Sequence, residues 1–124
     1  MTVLIDSDVL IEVSRGRNVQ VVEQWEGSSG SEHLLLCSPV TVAELWHGAF
    51  PPEHETLRQL FAALICVPID QDIGRRAGDY LRRYAKSHNL ELADALIAAT
   101  AVAQEAALWT RNRKHYPMTG LVFF

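Results

Sequence analysis

Five short apolar runs, set apart by stretches of helical periodicity, leave this chain few ways to fold. Thr2–Ile5, Leu34–Cys37, Leu64–Ile69, Leu108–Thr110 and Leu121–Phe124 read as strands. Between the first two, Val9, Leu10, Ile11 and Val13 fit an amphipathic helix that stops near Gly16, and Val19, Val21, Val22 and Trp25 fit a second. Gly27-Ser28-Ser29-Gly30-Ser31 reads as a surface loop. Thr41–Ala49 is a predicted helix stopped by Pro51-Pro52, and Glu53–Ala63 another. Asp70–Ser87 carries Ile73, Ala77, Tyr80, Leu81 and Tyr84 at helical spacing. Leu92–Ala107 is alanine-rich and apolar on nearly every face, which predicts a buried helix. Strands alternating with helices give an α/β domain around a mainly parallel sheet of about five strands.

At 124 residues the chain is one domain spanning 1–124. With 48% hydrophobic residues it can build a core without disulfides. Cys37 and Cys66 lie in apolar runs and read as reduced, buried thiols. No apolar stretch approaches the roughly 20 residues that span a bilayer. Asp6 falls where a signal peptide would be apolar, so the expected location is the cytoplasm. The formal net charge of −4 argues against a general electrostatic nucleic-acid binder. It leaves open an enzyme acting on phosphodiesters, in which bound cations reverse the local sign.

In a parallel α/β sheet, ligands bind beyond the carboxyl ends of the strands. Asp6 ends the first predicted strand, with Asp8 two residues on; Glu44 lies in the first turn of the helix after the second; Asp94 opens the alanine-rich helix. Singly, each acid has a structural alternative. Ser7 or Asp8 can cap the first helix. Thr41 and Glu44 have capping-box spacing. Asp94 complements a helix N-terminus. Together they favour chemistry, because an acid entering a buried helix needs a partner and carboxylates sharing a pocket repel without a cation between them. Such hard oxygen ligands suit Mg2+ or Mn2+. His54-Glu55 is not followed by a second histidine at zinc-protease spacing, and there is no CxxC or Walker loop.

Four segments carry a resemblance that covers essentially the whole chain. They are Leu4-Ile5-Asp6-Ser7-Asp8-Val9-Leu10-Ile11, the E-L-x-x-G core within Ser38–Ala49, Leu92-Ala93-Asp94-Ala95-Leu96-Ile97-Ala98-Ala99, and Thr110-Arg111-Asn112-Arg113-Lys114-His115-Tyr116. In this order they resemble the PIN-domain family, and within it the VapC toxins. The resemblance implies a three-layer α/β/α fold and a metal-dependent endoribonuclease of a toxin–antitoxin pair. It also implies a homodimer neutralised by a VapB-like antitoxin. Asp6, Glu44 and Asp94 match the family's metal-binding acids, holding one or two ions. Asn112 and His115 depart from the fully acidic fourth motif, which leaves fewer charges for a second ion.

Ser7 and Thr110 have hydroxyls able to support metal-bound water or Asp94, with capping as the alternative. Arg111, Arg113 and Lys114 beside the fourth motif are candidate RNA contacts. Arg75, Arg76, Arg82, Arg83 and Lys86 read better as the solvated face of their helix, paired with Asp79. Trp25, Trp46, Phe50 and Phe61 are candidates for core or for an antitoxin groove. Two rival readings stand beside the nuclease. One is a PIN-like scaffold that binds RNA or protein without cutting. The other is a haloacid-dehalogenase-like phosphatase with Asp6 as nucleophile and Lys86 as its lysine.

Overall fold

A computed structural model describes residues 1–30 and 32–124. Strand β1 (Thr2–Ile5) leads into helices α1 (Ser7–Arg15) and α2 (Val19–Ser29). Strand β2 (Leu34–Cys37) is followed by α3 (Pro39–Gly48) and α4 (His54–Ala62), with a single 3-10 turn at Pro51–Glu53 between them. Strand β3 (Ile65–Cys66), α5 (Gln71–His88), α6 (Leu92–Ala103) and β4 (Ala107–Trp109) complete the order, before a 3-10 turn at Arg113–His115.

The sheet is parallel, in the order β3-β2-β1-β4. Val3 pairs with Leu35 on one side and Ala107 on the other, so β1 is central. Alternation along β1 sorts the core into two layers. Leu4 joins Leu36, Leu108, Ile73, Ala95 and Ile97, packing the sheet against α5 and α6. Val3 and Ile5 join Leu35, Val9, Leu10, Leu57 and Leu60, packing the other face against α1 and α4. This is the expected three-layer arrangement, and both sheet faces are buried, as parallel sheets require.

The sheet has four strands, not about five. Leu121–Phe124 runs beside β4 and contributes a single bridge, Leu108 to Phe123. The Leu64–Ile69 run yields only Ile65–Cys66, because Pro68 has no N–H to donate and the run lies at the sheet edge. Cys37 is buried as expected, but Cys66 on this edge is exposed.

Helix limits differ where local chemistry overrides periodicity. Residues Gly27–Ser29 are helical, the last turn of α2, not a loop; Gly30 ends the helix and Ser31 lies outside the described residues. Buried Ser28 keeps that turn docked. Helix α6 stops at Ala103, four residues early, because the chain must turn there to bring β4 beside β1; Glu105 makes the turn with φ of +52°. Helix α3 starts earlier than Thr41, with the Ser38 hydroxyl capping Val40 N–H and Pro39 in the first turn.

Candidate active site

The strand order reverses between β1 and β4: β2 and β3 lie to one side of β1 and β4 to the other. The carboxyl ends of β1 and β4 therefore bound the crevice where a parallel α/β sheet holds ligands. Asp6 follows β1, Thr110 follows β4, and the backbone N–H of Asp6 donates to Trp109 O at 2.9 Å, tying the two ends together.

Asp6 is only 8% exposed, and both its carboxylate oxygens are engaged. Oδ1 accepts from Ser7 N–H at 2.8 Å, making Asp6 itself the cap of α1, in place of Ser7 or Asp8. Oδ2 accepts from the Thr110 hydroxyl at 2.9 Å and the Tyr116 hydroxyl at 2.7 Å. These bonds stabilise a buried negative charge, each by about 1.5–3 kcal/mol in a typical setting. Asp8 faces the other side of Thr110, accepting from its hydroxyl at 3.4 Å and from Arg111 N–H at 3.1 Å. Asp8 thus anchors the fourth motif to α1.

Glu44 is held from α1. The Ser7 hydroxyl donates to Glu44 Oε1 at 2.8 Å and lies 3.0 Å from Thr41 Oγ1. Thr41 is wholly buried and Glu44 is in the second turn of α3, so the expected Thr41–Glu44 capping box does not form. The T-x-x-E spacing instead places a hydroxyl and a carboxylate on one face, aimed at Ser7. Asp94 occupies the first turn of α6 and takes the Glu91 backbone N–H, so its helix-end role and its place in the cleft coexist.

Asp6, Asp8, Glu44 and Asp94 line one cleft of about 280 Å3, together with Ser7, Asn112 and His115. The Asn112 amide nitrogen and His115 Nε2 are hydrogen-bonded at 3.1 Å. Burial first, and then the charge of Asp6, hold the carboxyls of Asp8 and Asp94 above the ordinary range; His115 works against this at Asp94. Burial, followed by the charge of Asp6, likewise pushes the Tyr116 hydroxyl up, so it stays a proton donor to Asp6.

The donor set, carboxylates with hydroxyls and one amide, is chemically that of a hard divalent cation. Among the described residues, no three acids, histidines or cysteines stand close enough to close around an ion as they lie. Glu44 is turned to Ser7 and Asp6 to Thr110 and Tyr116, so chelation requires side-chain rotation.

The basic residues divide. Arg111 pairs with Glu12 at 3.4 Å, and Arg113 packs over Phe123 with its guanidinium carbon 5.1 Å from the ring centroid. Lys114 is exposed, and none of the three lines the cleft. On α5, Arg75 and Arg76 pair with Asp72, and Arg75 and Arg82 with Asp79, in exposed i,i+3 and i,i+4 bridges, as expected of a solvated face. Lys86 does not line the cleft, which removes the lysine the phosphatase reading needs. Sequence reasoning gave Tyr116 and Thr41 no part in the site. The aromatic closing the fourth motif was a signal for the first, and only the third dimension reveals the second.

A sequence profile of the PIN domain matches residues 3–120. The chain belongs to the PIN-domain family. This PIN domain is 43% identical over 117 residues to Ribonuclease VapC10 of Mycobacterium tuberculosis, covering 94% of this chain and 86% of that protein. It is 34% identical over 116 residues to Ribonuclease VapC19 of the same organism, covering 93% and 92%. Among solved structures it resembles a toxin-antitoxin complex from Klebsiella pneumoniae, with a TM-score of 0.76, 26% identity, and 98% and 96% coverage. It also matches VapBC2 from Rickettsia felis bound to a promoter DNA fragment, with a TM-score of 0.84 and coverage of 100% and 98%; at 18% identity that likeness speaks for the fold alone. The resemblance carried by the four sequence motifs is thereby borne out.

Proposed function

We propose that this PIN domain is a VapC-type endoribonuclease, the toxin of a toxin–antitoxin pair. The observation that carries this is the convergence of Asp6, Asp8, Glu44 and Asp94 on one cleft at the β1/β4 reversal, in a chain so similar to two proteins named Ribonuclease VapC. Asp6, Glu44 and Asp94 are the acids that would hold one or two divalent ions. When bound, a cation of the Mg2+ or Mn2+ class supplies Lewis acidity toward water and the phosphate oxygens. The protein's own part is positional. Tyr116 and Thr110 fix Asp6; Ser7, backed by Thr41, fixes Glu44; Asp8 holds the Arg111 backbone beside the cleft. Asn112 orients His115 at the rim. Arg111, Arg113 and Lys114, exposed around that rim, are within the segment that would meet the RNA backbone.

The antitoxin reading rests on a second surface. Val13, Trp25, Leu60 and Ala63 line a groove of about 340 Å3 between α1, α2 and α4. Ser14, Ser29, Thr56 and Gln59 line it too, so its mix of apolar and polar walls suits an amphipathic helix. Of the four aromatic candidates, Trp25 lines this groove, Trp46 packs on His54, Phe61 joins the core beneath, and Phe50 is 71% exposed outside it. A homodimer is the assembly this reading carries with it.

Incubating a total RNA pool with the purified protein in Mg2+, Mn2+ or EDTA, beside Asp94→Asn, tests the enzyme. Discrete fragments made in either metal, absent in EDTA and reduced at least about a hundredfold by the variant, are expected. Equal cleavage by both proteins would assign the activity to a contaminant. Broadening of the cleft's NMR signals by Mn2+, lost in Asp94→Asn, reads ion binding without turnover.

A further inference from the structure

A second cleft, of about 290 Å3, adjoins the acidic one and shares Asp94 and His115 with it. Its other walls are His88 and Asn89 at the end of α5, and Glu91 at the start of α6. Three candidates for its occupant differ in what they demand. A phosphate needs a cationic lining, and no lysine or arginine lines this cleft. A transition metal needs at least three converging ligands; none stand converged here among the described residues, and one nitrogen of each histidine is already hydrogen-bonded, to Ser87 or to Asn112. A flat, neutral heterocycle with hydrogen-bond donors meets neither objection.

We infer that this cleft is a subsite for a guanine base next to the scissile phosphate, with Glu91 as its specificity determinant; this rests on the ribonuclease reading of the neighbouring cleft. Single-stranded RNA is recognised by bases splayed out, stacked on flat side chains including histidine, and bonded along their Watson–Crick edges. His88 and His115 supply imidazoles. Ser87 bonds His88 Nδ1 at 2.8 Å and Asn112 bonds His115 Nε2, so each ring is held by one hydrogen bond. The Glu91 side chain makes no capping bond to its helix. Its carboxylate has two acceptors, and guanine presents two adjacent donors, N1–H and the N2 amino group, on one edge. Adenine, cytosine and uracil do not. Asn89, at φ +52° in the left-handed cap of α5, adds an amide to the rim. The shared wall is the structural point: a base seated here puts its sugar-phosphate within one nucleotide of Asp94.

The test is 15N NMR of the full chain in EDTA, titrated with the trinucleotides UGU, UAU, UCU and UUU. UGU is expected to bind at least about tenfold tighter than the others, shifting the Asn89 side-chain amide and the Glu91 backbone. Glu91→Gln should bring UGU down to the level of UAU, and His88→Ala should weaken all four alike. Equal affinities, shifts confined to other surfaces, or an unchanged UGU preference in Glu91→Gln would overturn the subsite. Cleavage of guanine-free RNA as fast as of guanine-containing RNA would do the same while leaving the ribonuclease reading standing. UGU binding here with no RNA ever cut would sink the nuclease and keep the base site.

Discussion

Asp6 carries more of the site than its one charge suggests. Its buried carboxylate depends on two hydroxyls arriving from over a hundred residues away, Thr110 and Tyr116. Tyr116→Phe removes one donor while keeping the ring in the core, so a loss of about 1–2 kcal/mol in urea unfolding is expected, with slower RNA cleavage. Asp8 and Asp94 behave oppositely, since folding lifts their carboxyls above the ordinary 3.8. The folded chain keeps protons that the unfolded chain has released, so these two acids lower stability as pH rises from 3.8 through their folded values. Asp94→Asn is therefore expected to melt at or a few degrees above the parent at neutral pH, measured by calorimetry. That advantage should shrink as pH falls below the ordinary 3.8, where the carboxyl is protonated in the folded and the unfolded chain alike. Adding Mn2+ should raise the melting temperature of the parent alone. At this scale much was legible: the acids, Ser7 and Thr110 were all readable from their places after strands. The fourth motif ends on Tyr116, but the bond from its hydroxyl to Asp6 was not legible, because it joins residues 110 positions apart.

Among the elements, α3 shows how a local rule gives way to a tertiary one. The Thr41–Glu44 spacing matches a capping box, yet Ser38 caps the helix and frees both residues to face Ser7. Two substitutions separate these roles. Ser38→Ala is expected to cost about 1 kcal/mol of stability with cleavage retained in proportion to folded protein. Thr41→Val should fold, yet lower the rate by loosening the Ser7–Glu44 pair. Comparing unfolding midpoints with cleavage rates distinguishes them. The long apolar periods were readable because burial imposes them: β1, β2, α1 and α5 lie within a residue or so of their predicted limits. The ends of α2 and α6 were not. Glycines and serines at 27–29 look like a loop until Ser28 is buried by the fold, and an alanine run has no residue that says where to stop.

For the molecule as a whole, the sheet edge and the helical groove set what solvent and partners meet. Cys37 and Cys66 are register partners on β2 and β3, yet only Cys66 is exposed; burial first, then its sulfur neighbour, pushes the Cys37 thiol up to about 12. A thiol reagent at neutral pH should label one cysteine per native chain and two after unfolding, read by mass spectrometry. Trp25→Ala should weaken antitoxin binding by tenfold or more in calorimetry while sparing RNA cleavage, because its groove is separate from the acidic cleft. Parallel pairing of Val3 with Ala107 closes a loop through nearly the entire chain. During synthesis the first strand can pair with β2 early, but its other neighbour is unmade, and Asp6 and Asp8 wait for the Thr110, Arg111 and Tyr116 groups that hold them. Until residues 107–116 appear the crevice has one wall, so whatever the finished cleft does cannot begin on a chain still being made.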